Sequence, residues 1–189
     1  KVCTKVSGKQ QRKCFEAYLR SMLENEPTVD IDGSYLEMPC DRFNTLYFLQ
    51  HCHRHFLREG ITLRYICDWA MILKNADCFD SEFWNECEKN DLRPFAESMT
   101  RLAYVICGVK ASWMNDDVML QIQDKMLLDD CYRIVYNAIK YGNRLKAHIQ
   151  MVKNMLEMRW KYKYFSQRSM EVELIGSVWS NWMEKEPKI

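Results

Sequence analysis

Residues Phe43 to Lys74 read FNTLYFLQHCHRHFLREGITLRYICDWAMILK. Phe43, Leu46, Tyr47, Leu49, Phe56 and Leu57 recur close to helical spacing. Gly60 then supplies the stop that helices often use, so the stretch predicts two helices joined by a tight turn at Glu59-Gly60. Thr62 is placed to cap the second helix, and Leu63, Ile66, Cys67, Ala70 and Leu73 form its expected buried stripe. Three of the four histidines lie in this one stretch. The pair is the first sign of an all-α fold.

Working outward supports the same class. Towards the N-terminus, Phe15, Tyr18, Leu19 and Met22 form one stripe of a helix over residues 10–26, which Pro27 should end. Residues 28–38, TVDIDGSYLEM, alternate apolar and acidic positions and carry Asp32-Gly33, which predicts a short hairpin or extended arm. Asp41 is placed as the N-cap of the helix that contains Phe43. Towards the C-terminus, a helix should start after Asp80-Ser81. Another should start at Arg93-Pro94, with proline in the first turn, and run to Gly108. Residues 109–116 read as a loop with a packed Trp113. Helical patterns follow over 116–141 and 144–165, with a stop at Gly142-Asn143, and a last helix carries Leu174, Val178, Trp179 and Trp182. The expected architecture is a single helical domain over residues 1–189, an all-α bundle of about seven to eight helices with at most one short hairpin near 28–38.

Composition narrows the function classes. The 189 residues are 48% apolar and carry a net charge of about +1. That is a globular balance, with no overall charge to favour nucleic acid or an acidic membrane. No apolar run reaches the ~18 residues of a membrane span. The basic start, KVCTKVSGKQQRK, lacks the apolar core of a signal peptide. The chain begins on lysine, which fits a fragment or a processed product. Nine cysteines form no Cys-x-x-Cys pair, and most fall where a helix places apolar residues. Reduced core thiols in a cytoplasmic protein are the expectation.

Four side chains stand out as candidates for chemistry. His51 and His55 share a helix face, and a pair at this spacing can ligate a metal. Cys52, however, occupies the place where a zinc protease motif has glutamate, and no third ligand is evident, so no metal site is assigned. His53 points elsewhere and reads as an ordinary surface residue. Arg64 and Asp68 are likewise four apart on the next helix. One reading makes the set a polar clamp, with a histidine and Asp68 in a buried hydrogen bond. The other makes it an anion-binding, substrate-facing cluster in which Arg64 meets a phosphate.

Two further stretches have plainer readings. VDIDGS at 29–34 contains Asp-x-Asp, as two-metal phosphoryl-transfer sites do. Its Gly-Ser follows the acidic pair instead of preceding it, so it reads as a turn. RWKYKYFSQR at 159–168 interleaves cations and aromatics, as single-strand binders do. A packed amphipathic helix explains it better, and nucleic acid is not the expected partner. Met151, Met155 and Met158 lie at helical spacing and read as core.

The run HCHRHFLREGITLRYICDWAMILK resembles the helical part of a family of bacterial nucleotidyltransferases of Bacteroides type with a polymerase-β-like catalytic domain. The likeness is carried by His51, Arg54, His55 and Phe56, then by Gly60-Ile61-Thr62-Leu63-Arg64 and Asp68-Trp69. Thr62 stands where the family usually has glycine, and Tyr65 where it has glutamine. A weaker likeness extends over roughly 28–183, including Leu92 to Ala96, Tyr141-Gly142-Asn143 and the basic-aromatic stretch. The resemblance implies a catalytic sheet upstream in cis, which would bind Mg²⁺ and a nucleoside triphosphate. It implies no catalytic residue and no cofactor within this chain itself. The chain would then be the C-terminal helical region that closes one side of a substrate cleft, with His51, His55, Arg64 and Asp68 as substrate-facing candidates, Arg64 and His55 foremost, and a small-molecule or protein acceptor as the expected partner. A non-enzymatic helical protein-interaction module is the alternative.

Overall fold

A computed structural model describes residues 8–23, 28–58, 60–115, 117–132, 153, 156–167 and 169–171. The chain divides into two compact units, Lys1–Arg133 and Ile134–Ile189. In the first unit, α1 (Gly8–Met22) leads into a hairpin of β1 (Thr28–Ile31) and β2 (Ser34–Glu37). The helices α2 (Asp41–Arg58), α3 (Leu63–Asn75), α4 (Ser81–Lys89), α5 (Arg93–Cys107) and α6 (Ile122–Tyr132) follow. In the second unit the described helix is α7 (Arg159–Phe165). Seven helices and one antiparallel hairpin among the described residues make this an all-α protein, as the periodicity predicts.

The hairpin forms at the expected turn. Asp32 and Gly33 both have positive φ, 52° and 81°. This is the backbone twist that a two-residue connection between right-twisted strands requires. Asp30 braces it: its Oδ1 accepts the Gly33 N–H at 2.8 Å. The first carboxylate of VDIDGS therefore serves the turn.

Helix α5 is the axis of the first unit. Phe95, Ala96, Ser98, Met99, Thr100, Leu102 and Ala103 are all buried, so it is covered on most sides. It packs against α3, α4 and α6. Pro94 sits in its first turn and Gly108 closes it in the left-handed conformation, φ 68°. Both follow from proline's fixed φ and glycine's missing Cβ. Trp69 of α3 is wholly buried against it, and its indole N–H donates to Thr100 Oγ1 at 3.0 Å. That hydroxyl in turn donates to the Ala96 carbonyl at 2.7 Å.

Aromatic rings bridge the gaps between helices. Phe48 of α2 stacks on Trp69, centroids 6.2 Å apart, and lies 6.4 Å from Tyr65. Phe79 then meets Trp69, Phe83 and Trp113. The expected packing of Trp113 is thus correct, although its outer edge stays exposed.

Cap residues follow the expectations in part. Asp80 caps α4 by accepting the Phe83 N–H at 2.9 Å. Thr62 stands at the N-cap of α3, but its side chain makes no capping bond. Asp41 lies within α2, and its carboxylate accepts the Asp77 N–H at 3.3 Å instead of capping its own helix. Arg42 beside it pairs with Asp80 and Glu82, and Tyr18 donates to Glu82 at 3.3 Å. This tethers α1 and α2 to the start of α4.

Cys67 departs from the stripe assigned to it. It is exposed, and Trp69 takes the buried place beside Ile66 and Ala70. Of the eight described cysteines, Cys52, Cys78, Cys87 and Cys131 are buried, while Cys14, Cys67 and Cys107 are exposed. All eight are free thiols, although fewer lie in the core than expected. The helix predicted over 116–141 begins only at Ile122. The Gly142-Asn143 stop, Met151, Met155 and the last predicted helix lie outside the described residues.

Candidate functional site

His51 and His55 rise from one face of α2, an exposed and a half-exposed ring whose centroids are 4.5 Å apart. Their i, i+4 spacing dictates this contact. His51 also stacks on Tyr47 at 6.3 Å, one turn back. Partial burial, the neighbouring His55 and the Arg54 cation hold the His51 imidazole below its ordinary value. This favours its neutral form. The surface expectation for His53 is incorrect. This histidine is buried, its ring 5.2 Å from Phe95, because α2 turns the 46, 49, 53, 56 side towards α5.

On α3, Arg64 reaches Asp68 at 3.8 Å, with the arginine side chain 85% exposed and the aspartate 48%. The expected buried bond between a histidine and Asp68 does not form. Asp68 is too near the surface, and its partner is one turn back on its own helix. Its charge is nevertheless felt by α2: burial first, then Asp68, pushes the Cys52 thiol up to about 12. The structure thus places the four candidates as two separate pairs, each within its own helix, on α2 and α3.

The structure also shows a site that the sequence reading did not assemble. A cleft of about 420 Å³ is lined by Trp84, Arg93, Glu97, Arg101, Trp113 and Met114, together with Thr100. Trp84 and Trp113 meet edge to face at 5.4 Å, and the Arg93 guanidinium lies 5.6 Å over the Trp84 ring. Arg93 pairs with Glu88 at 2.7 Å and Glu97 at 3.0 Å. Arg101 is held from behind by Asp124 of α6, through Nε to Oδ2 at 2.7 Å and Nη2 to Oδ1 at 3.0 Å. Asp124 is wholly buried and also accepts from Ser98 Oγ and the Gln121 N–H. The i, i+4, i+8 run Arg93, Glu97, Arg101 is a legible stripe on α5. The contribution of Asp124, from beyond a loop, is not.

A second cleft, of about 510 Å³, lies among Tyr18, Cys40, Asp41, Arg42, Asp77 and Glu82. Arg42, the arginine among these residues, is already paired with Glu82 and Asp80. In the second unit, Lys161, Tyr162 and Phe165 of α7 are buried, and Arg159 pairs with Glu171 at 3.4 Å. This favours the packed-helix reading of the basic-aromatic stretch.

The residues matched by a family model now add to this geometry. The model, described as an uncharacterised nucleotidyltransferase, matches residues 6–108. That is more than half of the chain, and the protein belongs to this family of nucleotidyltransferases. The matched span takes in α1 to α5 and with them His51, His55, Arg64 and Asp68. It ends at Gly108, short of the likeness expected out to residue 183. No curated protein and no solved structure matches the chain.

Mg²⁺ and a nucleoside triphosphate are expectations that rest on the sequence resemblance alone. Among the described residues no three His, Cys, Asp or Glu side chains gather as a metal site. The carboxylate of Asp30 is engaged by its turn. The described residues therefore do not fit a self-contained Mg²⁺ site.

Proposed function

We propose that this chain is the helical accessory region of a nucleotidyltransferase, forming one wall of a cleft in which a nucleotidyl group passes from a nucleoside triphosphate to an acceptor. The observation that carries this reading is the family match over a span whose described elements are five helices and one hairpin. In this reading catalysis belongs to a sheet domain acting in cis, within a bacterial, cytoplasmic protein. Arg64 and His55 are the groups that meet substrate. An exposed guanidinium tied only to a carboxylate at 3.8 Å can exchange that partner for a phosphate at little cost. His51, whose neutral form is favoured, can donate or accept a hydrogen bond.

The test is calorimetric titration of the 189-residue chain with the Mg²⁺ complexes of ATP, GTP, CTP and UTP, with Arg64→Ala and His55→Ala as controls. Saturable binding that Arg64→Ala removes is the expected result. Binding that survives both substitutions but is lost in Trp113→Ala moves the contact to the aromatic cleft. Silence with all four nucleotides overturns the idea that this chain carries part of the nucleotide site.

A protein-interaction module is the second reading. It is favoured by the exposure of Met71 on α3 and of Val105 and Ile106 on α5, the two most closely packed helices.

A further inference from the structure

Cys67 of α3 and Cys107 at the end of α5 are far apart in sequence, yet their sulfurs lie 3.9 Å apart. Both residues are exposed. The thiols belong to two helices that pack directly against each other. Closing the remaining gap requires movement of side chains at the surface, and no core residue stands between them and solvent. The buried thiols are in a different position. Burial raises Cys78 and Cys87, and it pushes Cys52 up to about 12, so all three stay protonated and shielded at neutral pH.

We propose that Cys67 and Cys107 form a thiol–disulfide exchange site, which takes a small-molecule disulfide of the glutathione class and closes into a reversible bond between α3 and α5. In the first step the Cys67 thiolate attacks one sulfur of the reagent, whose S–S bond breaks. One reagent thiol leaves with a proton, and Cys67 carries a mixed disulfide. In the second step the Cys107 thiolate attacks the Cys67 sulfur and displaces the second reagent thiol. Two protein thiols are oxidised and one reagent disulfide is reduced to two thiols. Burial and the adjacent Cys67 sulfur hold the Cys107 proton more tightly than usual. This suits Cys107 to the later, intramolecular attack, where proximity compensates for a small thiolate fraction. The bond would cross-link the middle of one core helix to the end of another and restrict how far they separate on unfolding.

The experiment treats the folded full chain with oxidised glutathione at mildly alkaline pH, then maps peptides without reduction. The expected product is a Cys67–Cys107 cross-link, formed faster than in chain unfolded by urea and reversed by dithiothreitol. The oxidised chain should also unfold at higher urea than the reduced chain. Cys107→Ser should stall at the first step, leaving glutathione on Cys67. Separate glutathione adducts on Cys67 and Cys107 in the unsubstituted chain, or a cross-link made preferentially through Cys14, would overturn the proposal.

Discussion

Two of the arginine–aspartate pairs among the described residues share their chemistry and differ in their setting. Arg64 and Asp68 lie on the surface of α3, 3.8 Å apart, with most of the arginine in solvent. Arg101 and Asp124 join α5 to α6 through two hydrogen bonds, with the aspartate wholly buried and the arginine mostly so. In water, a pair such as the first gains little, because solvent screens the attraction and solvates each charge when they separate. In the interior, separation would strand a charge without water, so the second pair is committed to the fold. A candidate for substrate contact is therefore better sought where a charge is inexpensive to release. On that ground Arg64 is more available than Arg101, although Arg101 lines a better-shaped cleft.

The largest test of this contrast is Asp124→Ala. It strands Arg101 and removes the acceptor for Ser98 and Gln121, and it should cost about 3–5 kcal/mol in urea unfolding. A loss under about 1 kcal/mol would break the distinction between the two pairs. Next is Thr100→Val, which keeps the shape but leaves the buried Trp69 indole N–H without its acceptor. A loss of about 1–3 kcal/mol is expected, read from the same unfolding curves.

A smaller effect is expected at the surface cap Asp80, and it should depend on pH. The Phe83 backbone N–H, opposed in part by desolvation, acts together with the Arg42 cation to hold the Asp80 carboxyl below its ordinary value. A carboxyl lowered on folding adds stability above its unfolded value, and that stability disappears as pH falls through the folded value. Asp80→Ala should therefore lower the urea midpoint at neutral pH. The gap to the parent chain should close on acidification below the ordinary aspartate range. A gap unchanged by acid would rule out the ionised cap as its cause. The smallest expected effect on stability is that of Arg64→Ala, within about 0.5 kcal/mol by thermal unfolding. The same substitution should abolish nucleotide binding. A large loss of stability would place Arg64 with Arg101, as a structural group.

Much of the fold follows from local signals. The α2–α3 pair, the Asp32-Gly33 turn, the Asp80 cap, the Pro94 start and the Gly108 stop each rest on a residue whose backbone chemistry acts within a few positions. The errors lie where tertiary packing decides. His53 and Cys67 exchange their expected environments because the side of each helix that faces α5 is set by partners distant in sequence. Asp41 is drawn away from its own helix by the Asp77 N–H in the same way. Asp124 was illegible as a site residue for this reason too, since its partners Ser98 and Arg101 lie beyond a loop. The two clefts are likewise products of assembly. The i, i+4 pairing of His51 with His55 and of Arg64 with Asp68 needed only helical geometry.

The turn between α2 and α3 has a consequence for how such a surface can be dissected. Gly60 has φ 95° and donates its N–H to the His55 carbonyl at 3.0 Å. A side chain there meets a backbone strain on the order of 1 kcal/mol or more. A scan that truncates each polar group in turn has nothing to remove at position 60. The hinge between the helix of the imidazoles and the helix of the guanidinium thus includes a residue with no side chain to truncate.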